Sequence, residues 1–577
     1  MFIAHVTHEA VQKIGGIGAV LAGLITSRHY KSTVKRTVIC GPLTAEDRKV
    51  IAEGRPDLKL MPAKQIEDRT AAVGLQQIEK RYGVEILHGF RRYPGLDGGV
   101  ENEAEILLID VSRVTREHVA AVKSRLQQEM GLRFDKFRLT AEHDRFIRLT
   151  VPAYEALLTL RRSKDGPCVL VAHEWMGLPL ALWIVGRRDP RFRTVFHAHE
   201  VAPCRAIVEK HPGHDLMFYN AMRLATAENK SYADVFGPFD HVFTASLVAQ
   251  THRLNRIFAV GDAVVDELRF LSPELRAAPI DLVYNGIGAP KILPEAKLEA
   301  KGRLQEYARR LLGWRPDYVF THVARPAVSK AFWRDLQVMA ELDARLQAAG
   351  QRAVLFILAS AAYPRSAADV ARMEKEYDWP LEHRKGYPDL TGPEEAVDRY
   401  VRAFNRRAKA ARAIFVNQFG WGPDVVGRRM PKTALASDIR RGSDVEFGLS
   451  IYEPFGIAQI EPLPFGTICV LSHACGCRGL LERVNKNNEL VTAVIRDYAS
   501  AQAGAPLSRL LRMTARQTQD IEKQMAAGLA EDVFRLLPRS DKDMKRYLAI
   551  GYRYARQMSW EIVARDMFLP GVRLTLT

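Results

Sequence analysis

Val445-Glu446-Phe447-Gly448-Leu449-Ser450-Ile451-Tyr452 runs straight into Glu453-Pro454-Phe455-Gly456-Ile457-Ala458-Gln459-Ile460-Glu461. The first half is a predominantly apolar, strand-like run. Pro454-Phe455-Gly456 is a turn, and Ile457 onward reads as a helix start, so that two carboxylates, Glu453 and Glu461, stand eight positions apart. A strand, a glycine turn and a helix start form a common ligand site in α/β proteins. The first N–H groups of the helix face the ligand, and its dipole favours anions. Pro462 and Pro464 remove backbone donors just beyond, which should shorten or kink that helix.

The same grammar repeats along the chain. Strand-like runs at residues 106–110, 168–172, 194–198, 241–245, 281–284, 318–324, 354–359, 413–416, 445–452 and 468–472 alternate with helical patterns such as 331–349 and 397–411. This alternation predicts an α/β fold of parallel sheets covered by helices. A chain of 577 residues exceeds one ordinary core, and two domains are expected. Asn285-Gly286-Ile287-Gly288 precedes a polar, proline-bearing stretch and marks the boundary, giving domains of residues 1–285 and 286–550. Residues 70–103 and 364–398 read as insertions between core elements.

Hydrophobic residues make up 47% and charged residues 26%, a water-soluble profile. No apolar stretch is long enough to span a bilayer. Met1 to Glu9 reads as a first buried strand rather than a signal peptide, so a cytoplasmic location is the expectation. The six cysteines are scattered and read as buried free thiols, not as zinc or disulfide sites. The formal net charge is +17, and from Arg399 to Arg441 eleven Lys or Arg face only Asp424 and Asp438. A solvated helix face plus a charged loop accounts for that stretch. Its aromatic residues do not alternate with the basic ones as in a base-stacking platform, and no nucleic-acid partner is expected.

Four further places carry chemistry. Lys13-Ile14-Gly15-Gly16-Ile17-Gly18 follows the first strand and opens a helix; glycines admit a phosphate to the backbone, and Lys13 supplies countercharge. Arg325 and Lys330 flank the loop after the strand at 318–324, with Ser329 as candidate N-cap of the next helix. Two cations there suit a diphosphate, because ligands of open α/β sheets lie beyond the carboxyl ends of strands. His197-Ala198-His199-Glu200 ends another strand, with both histidines on one side; spacing shows no third metal ligand. His173-Glu174-Trp175 ends the strand before it. Glu453 suits a sugar hydroxyl or positive charge at an anomeric carbon, and Glu461 suits a ribose. A glycosidase would need its carboxylates across the scissile bond, whereas these share one loop and helix.

In this order the motifs resemble those of the retaining GT-B glycosyltransferases, specifically the glycogen and starch synthases, over nearly the whole chain. Lys13 to Ile17 resembles the K-x-G-G loop. His173-Glu174-Trp175-Met176-Gly177 resembles H-[DE]-W-x-x-G, Val195 to His199 the strand with the active-site histidine, and Asn285-Gly286-Ile287 the N-G-[IVL] entry to the second domain. Arg325 and Lys330 fall on the Arg…Lys pair, and Glu453 to Glu461 on E-x7-E. Ala555-Arg556-Gln557-Met558-Ser559-Trp560-Glu561 resembles the helix that returns to the first domain. The spacing of Arg325 and Lys330 is similar to the bacterial and plant ADP-glucose type. Lys-Ile-Gly-Gly-Ile, His-Glu-Trp and Glu461 are closer to the animal and fungal UDP-glucose type. Ala19, Gly288 and Glu200 depart from the usual residues and bear on acceptor identity.

The resemblance implies a GT-B fold, two Rossmann-like domains facing a deep cleft, with residues 551–577 crossing back to the first. It implies transfer of glucose from UDP- or ADP-glucose to an α-1,4-glucan end with retention. His199, Arg325, Lys330 and Glu453 would be catalytic. Lys13, Gly15, Gly16, Asn285, Tyr452, Phe455, Gly456 and Glu461 would bind donor, and Glu174 and Trp175 would lie on the acceptor side. No metal and no cofactor are expected, since the two cations stabilise the leaving diphosphate. The partners are a nucleotide sugar and a glucan or other saccharide, with self-association left open. Two other functions fit the same residues: transfer of a sugar to a small acceptor such as a sugar phosphate, and a non-catalytic glucan-binding or regulatory role.

Overall fold

The computed structural model describes residues 1–12, 15–95, 99–361 and 364–576. The chain divides into two units: residues 1–204, 225–288 and 559–577 form the first, and residues 205–224 and 289–558 form the second.

The first unit is built on a nine-stranded sheet. Its strands are β1 (Phe2–Val6), β2 (Arg36–Pro42), β3 (Leu58–Pro62), β4 (Glu85–Tyr93), β5 (Asn102–Asp110), β6 (Cys168–His173), β7 (Phe192–Ala198), β8 (Arg256–Ala259) and β9 (Ile280–Leu282). Their order is β3-β4-β5-β2-β1-β6-β7-β8-β9. Strands β5-β2-β1-β6-β7-β8-β9 are parallel. β1, β2 and β6 are buried at every residue, as helices on both faces of a parallel sheet require. The segment 70–103, expected as an insertion, instead supplies a helix, Arg69–Tyr82, and the antiparallel strand β4 of this sheet. The strand expected at 241–245 is the start of the helix Phe243–Ala249. A short buried apolar run carries no period that separates the two states.

The C-terminal segment completes this unit. Glu561 accepts the Ser27 hydroxyl and the Arg28 N–H, each at 2.9 Å, and so caps the helix Arg28–Thr33. Trp560 lies against Gly23, where an added Cβ would stand 2.2 Å from the indole ring.

The second unit carries a six-stranded sheet. Its strands are β10 (Tyr318–Val323), β11 (Ala353–Leu358), β12 (Ala411–Val416), β13 (Val445–Gly448), β14 (Ile468–Ser472) and β15 (Ala493–Arg496). All are parallel, in the order β12-β11-β10-β13-β14-β15. Residues 364–398 are not peripheral as expected. Val370, Met373 and Trp379 belong to the core of this unit. The buried Arg365 guanidinium binds the carbonyls of Pro388 and Asp389 and the carboxylate of Glu394. Part of the basic stretch after them is held in ion pairs. Arg402 pairs with Asp398 and Glu382, Arg429 with Asp378, and Arg440 with Glu446. No helix among the described residues is long and apolar enough to cross a membrane.

In each sheet the strand order reverses beside the first strand of its unit. β1 lies between β2 and β6, and β10 lies between β11 and β13. Connections leave such a point in opposite directions and open a crevice at the carboxyl ends of the strands. Gly15-Gly16 follows β1 and His173 ends β6, and Arg325 and Glu453 follow β10 and β13, at these two reversals.

Candidate active site

In the second unit, β10 ends at Val323, and the chain passes Arg325 into the 3-10 turn Val328–Lys330 before the helix Phe332–Ala348. Ser329 does not cap that helix. Ala331, at φ 49°, stands between them as N-cap. The carbonyl of Ser329 instead accepts the N–H of Ile451 at 2.8 Å, tying the loop after β10 to the loop after β13. Across this tie the Lys330 ammonium donates to Glu453 Oε2, and Gln459 Nε2 donates to the same oxygen at 2.8 Å. Both bonds land on Oε2. Arg325 is exposed, and its guanidinium makes no hydrogen bond or ion pair among the described residues.

Gly456 shapes this corner. Its φ is +94°, and a Cβ there would stand 2.8 Å from Gln459 Oε1 and 2.9 Å from Glu453 Cγ. Tyr452 and Phe455 are buried beneath the loop. The helix after the turn is one turn long, Ile457–Ile460, and gives way to the 3-10 turn Leu463–Phe465, as the two prolines require. It is therefore too short to present a dipole, and the side chains carry the site. Glu461 lies 3.4 Å from Arg440 Nη2, so the two acids have different cations: Lys330 for Glu453 and Arg440 for Glu461.

In the first unit, Lys13 and Ile14 lie outside the described residues. Gly15 is the N-cap of the helix Gly16–Ile25. The N–H groups of Gly15 and Gly18 each donate at 2.9 Å to Glu9 Oε2. The anion that this helix start holds is the chain's own carboxylate, which the sequence reading did not anticipate. Asn285 is buried, and its Oδ1 has no hydrogen-bond partner.

The strand ends bring histidines together. Register places His173 of β6 opposite His197 of β7. His5 Nδ1 lies 2.9 Å from His173 Nε2, and His173 Nδ1 lies 2.9 Å from His199 Nε2. Burial depresses all four imidazoles: His5 and His197 to about 3, His173 and His199 well below the ordinary range. Each ring is therefore neutral at pH 7.

Glu174 sits at φ 54° as the first residue of the helix Glu174–Arg187. Its Oε1 accepts the backbone N–H groups of His199 and, at 2.7 Å, of Glu200. Burial, and then the charge of Glu200, push the Glu174 carboxyl up to about 8. It acts on the backbone that carries His199. Trp175 packs edge-on against His143 at 4.9 Å and Phe146 at 5.5 Å, turned into the helical layer.

Residues missed by sequence reasoning are Gln459, Glu9 and His5. Position after a strand could have marked Glu9. Gln459 stands six residues after its partner Glu453 in the same turn and helix, whereas nothing local marks His5, whose partner His173 lies on another strand.

The sequence matches no protein-family model and no curated protein. Solved structures match over the full chain. A UDP-forming α,α-trehalose-phosphate synthase from Burkholderia xenovorans aligns at TM-score 0.50 and 14% identity, covering 100% of each chain. A trehalose-6-phosphate structure from E. coli, bound with UDP-2-fluoro glucose, aligns at 0.51 and 12%, covering 100% of this chain and 99% of the other. A UDP-forming synthase from Burkholderia vietnamiensis aligns at 0.50 and 13%, covering 99% and 97%. The fold is therefore the GT-B fold of two Rossmann-like units.

Proposed function

We propose that this protein is a retaining glycosyltransferase that moves a hexose, glucose in the first instance, from a nucleoside-diphosphate sugar to a small phosphorylated sugar. One observation carries the reading: Arg325, whose guanidinium has no partner among the described residues, and the Lys330–Glu453 pair stand at the strand-order reversal of the second unit. Leaving-group departure puts negative charge on the diphosphate, and fixed cations that need no reorganisation stabilise it. Arg325 offers a planar fork and Lys330 a point charge. Glu453 is assigned to a sugar hydroxyl through Oε1, since Oε2 holds Lys330 and Gln459. In the first unit the backbone at His199, whose N–H is fixed by Glu174, is assigned to the transferred sugar. No carboxylate nucleophile and no metal are assigned to this chemistry.

The choice of a small phosphorylated acceptor over a glucan end replaces the first expectation. The structures that share the fold over full length are named for trehalose-phosphate products and UDP. The motif resemblance to glucan synthases keeps the polymer as the second reading.

The test is nucleotide release from a panel of UDP-, ADP- and GDP-sugars, with hexose phosphates or glycogen as acceptors. Release with one glucose donor, stimulated by a hexose phosphate, is expected. Stimulation by glycogen alone would restore the glucan reading. Neither binding nor release across the panel would leave a non-catalytic protein.

A further inference from the structure

We propose that His173, His197 and His199 form a binding site for a single divalent transition-metal ion of the zinc class. Each histidine offers one ring nitrogen, and the three nitrogens lie within 4.8 Å of one another. They reach one place because β6 and β7 are neighbours in register and His199 follows His197 by two residues, on the same side. The spacing of His197 and His199 alone shows only two ligands; the third comes from the adjacent strand.

An independent observation points to a ligand. His197 is 1% exposed, and neither of its ring nitrogens has a hydrogen-bond partner among the described residues. Buried polar groups are nearly always paired, and an orphan is costly. Its ring centroid lies 4.3 Å from that of His199 and 5.2 Å from that of His173. An ion among the three would satisfy one of those nitrogens.

The surroundings suit ligation. Metal-binding histidines donate their other ring N–H to a fixed acceptor. His173 Nε2 has such a partner in His5 Nδ1, and His5 Nε2 continues to the Tyr30 hydroxyl at 3.2 Å and on to Thr37 at 3.0 Å. With the proton of His173 on Nε2, the Nδ1 lone pair faces His199. On loading, His199 carries its proton on Nδ1, and the ion replaces the proton between the two rings. Bonds of about 2.0–2.1 Å require the widest pair of nitrogens to close by ring rotation. His199 is part-buried, the least buried of the three. Neutral imidazoles with no carboxylate favour zinc-class ions over Mg2+ or Ca2+.

This inference does not rest on the glycosyltransferase reading, because binding is measured without turnover. The full chain, stripped with a chelator, is titrated with Co2+ and followed by its visible d–d absorption, then challenged with Zn2+. X-ray absorption at the zinc edge counts imidazole ligands in the Zn2+-loaded protein. Expected are a single ion per chain, displaced by Zn2+, with three imidazoles, and a loss of affinity of at least about tenfold in His197→Phe. Equal binding by wild type and His197→Phe, or two or fewer imidazoles at the edge, would assign the metal to surface histidines and overturn the proposal. Should His197→Phe fail to fold, the imidazole count on the wild type decides.

Discussion

The carboxylate of Glu174 holds the backbone N–H of His199, joining the start of one helix to the end of the neighbouring strand. The contact spans 25 residues and sets where the His199 ring emerges. It is made by a buried acid whose charge is opposed by its surroundings, and this has a measurable consequence.

Glu174 makes stability pH-dependent. Its carboxyl is raised from 4.5 to about 8 in the folded state. Between those values the folded protein holds a proton that the unfolded chain has lost, so stability falls as pH rises. The contribution is fully present below about 4.5 and lost above about 8. Thermal melts from about pH 5 to pH 9 should show this decline, and Glu174→Gln should flatten it while still accepting the His199 N–H. A slope unchanged in Glu174→Gln would assign it elsewhere.

Lys330→Ala should lower turnover by about 10²–10³-fold, the usual cost of removing a preorganised charge at a transition state. The two side chains are only 16% and 12% exposed, so removing Lys330 should also cost about 1–3 kcal/mol of stability. Glu453→Gln retains an acceptor and should be milder than Glu453→Ala. Nucleotide release and denaturant unfolding check both. A folded Lys330→Ala with wild-type turnover would remove Lys330 from the site.

Gly23→Ala should destabilise the first unit by about 1–3 kcal/mol, because its methyl group would enter the Trp560 ring. The double variant with Trp560→Ala should lose less than the sum of the two single changes, since the clash disappears. Additive losses would show that Trp560 does not press on Gly23.

Arg334 is fully buried between Asp215 and Glu522, with its guanidinium 4.0 Å from the Tyr498 ring. Arg334→Met should cost about 3–5 kcal/mol, since it strands two buried carboxylates. It should also expose residues 205–224 of the second unit to limited proteolysis, as Asp215 lies in that segment. Resistance equal to wild type would mean the segment is held by its apolar contacts alone.

Much of the fold was legible because parallel strands buried on both faces must be apolar throughout. β10, β11, β12 and β14 stand where apolar runs were read. The helix Phe332–Ala348 spans the expected 331–349 almost to the residue. Glycine and proline around Glu453 announced the turn and the short helix. Residues 70–103 and 364–398 were misread as insertions because their polar composition hid one sheet strand and a core tryptophan. Ser329 was misread because nothing local foretells a left-handed Ala331.

By itself the sequence determined the parallel α/β class, most of its strands and the strand ends on which Arg325, Glu453 and His199 stand. Periodicity, glycine and proline act within a few residues, and they express the local physics of backbone and burial. Only the tertiary structure decided which strand ends meet. It put Lys330 on Glu453, Arg440 on Glu461, and His173 against His199. Those pairings depend on sheet order and register, which are settled by packing between elements far apart in the chain.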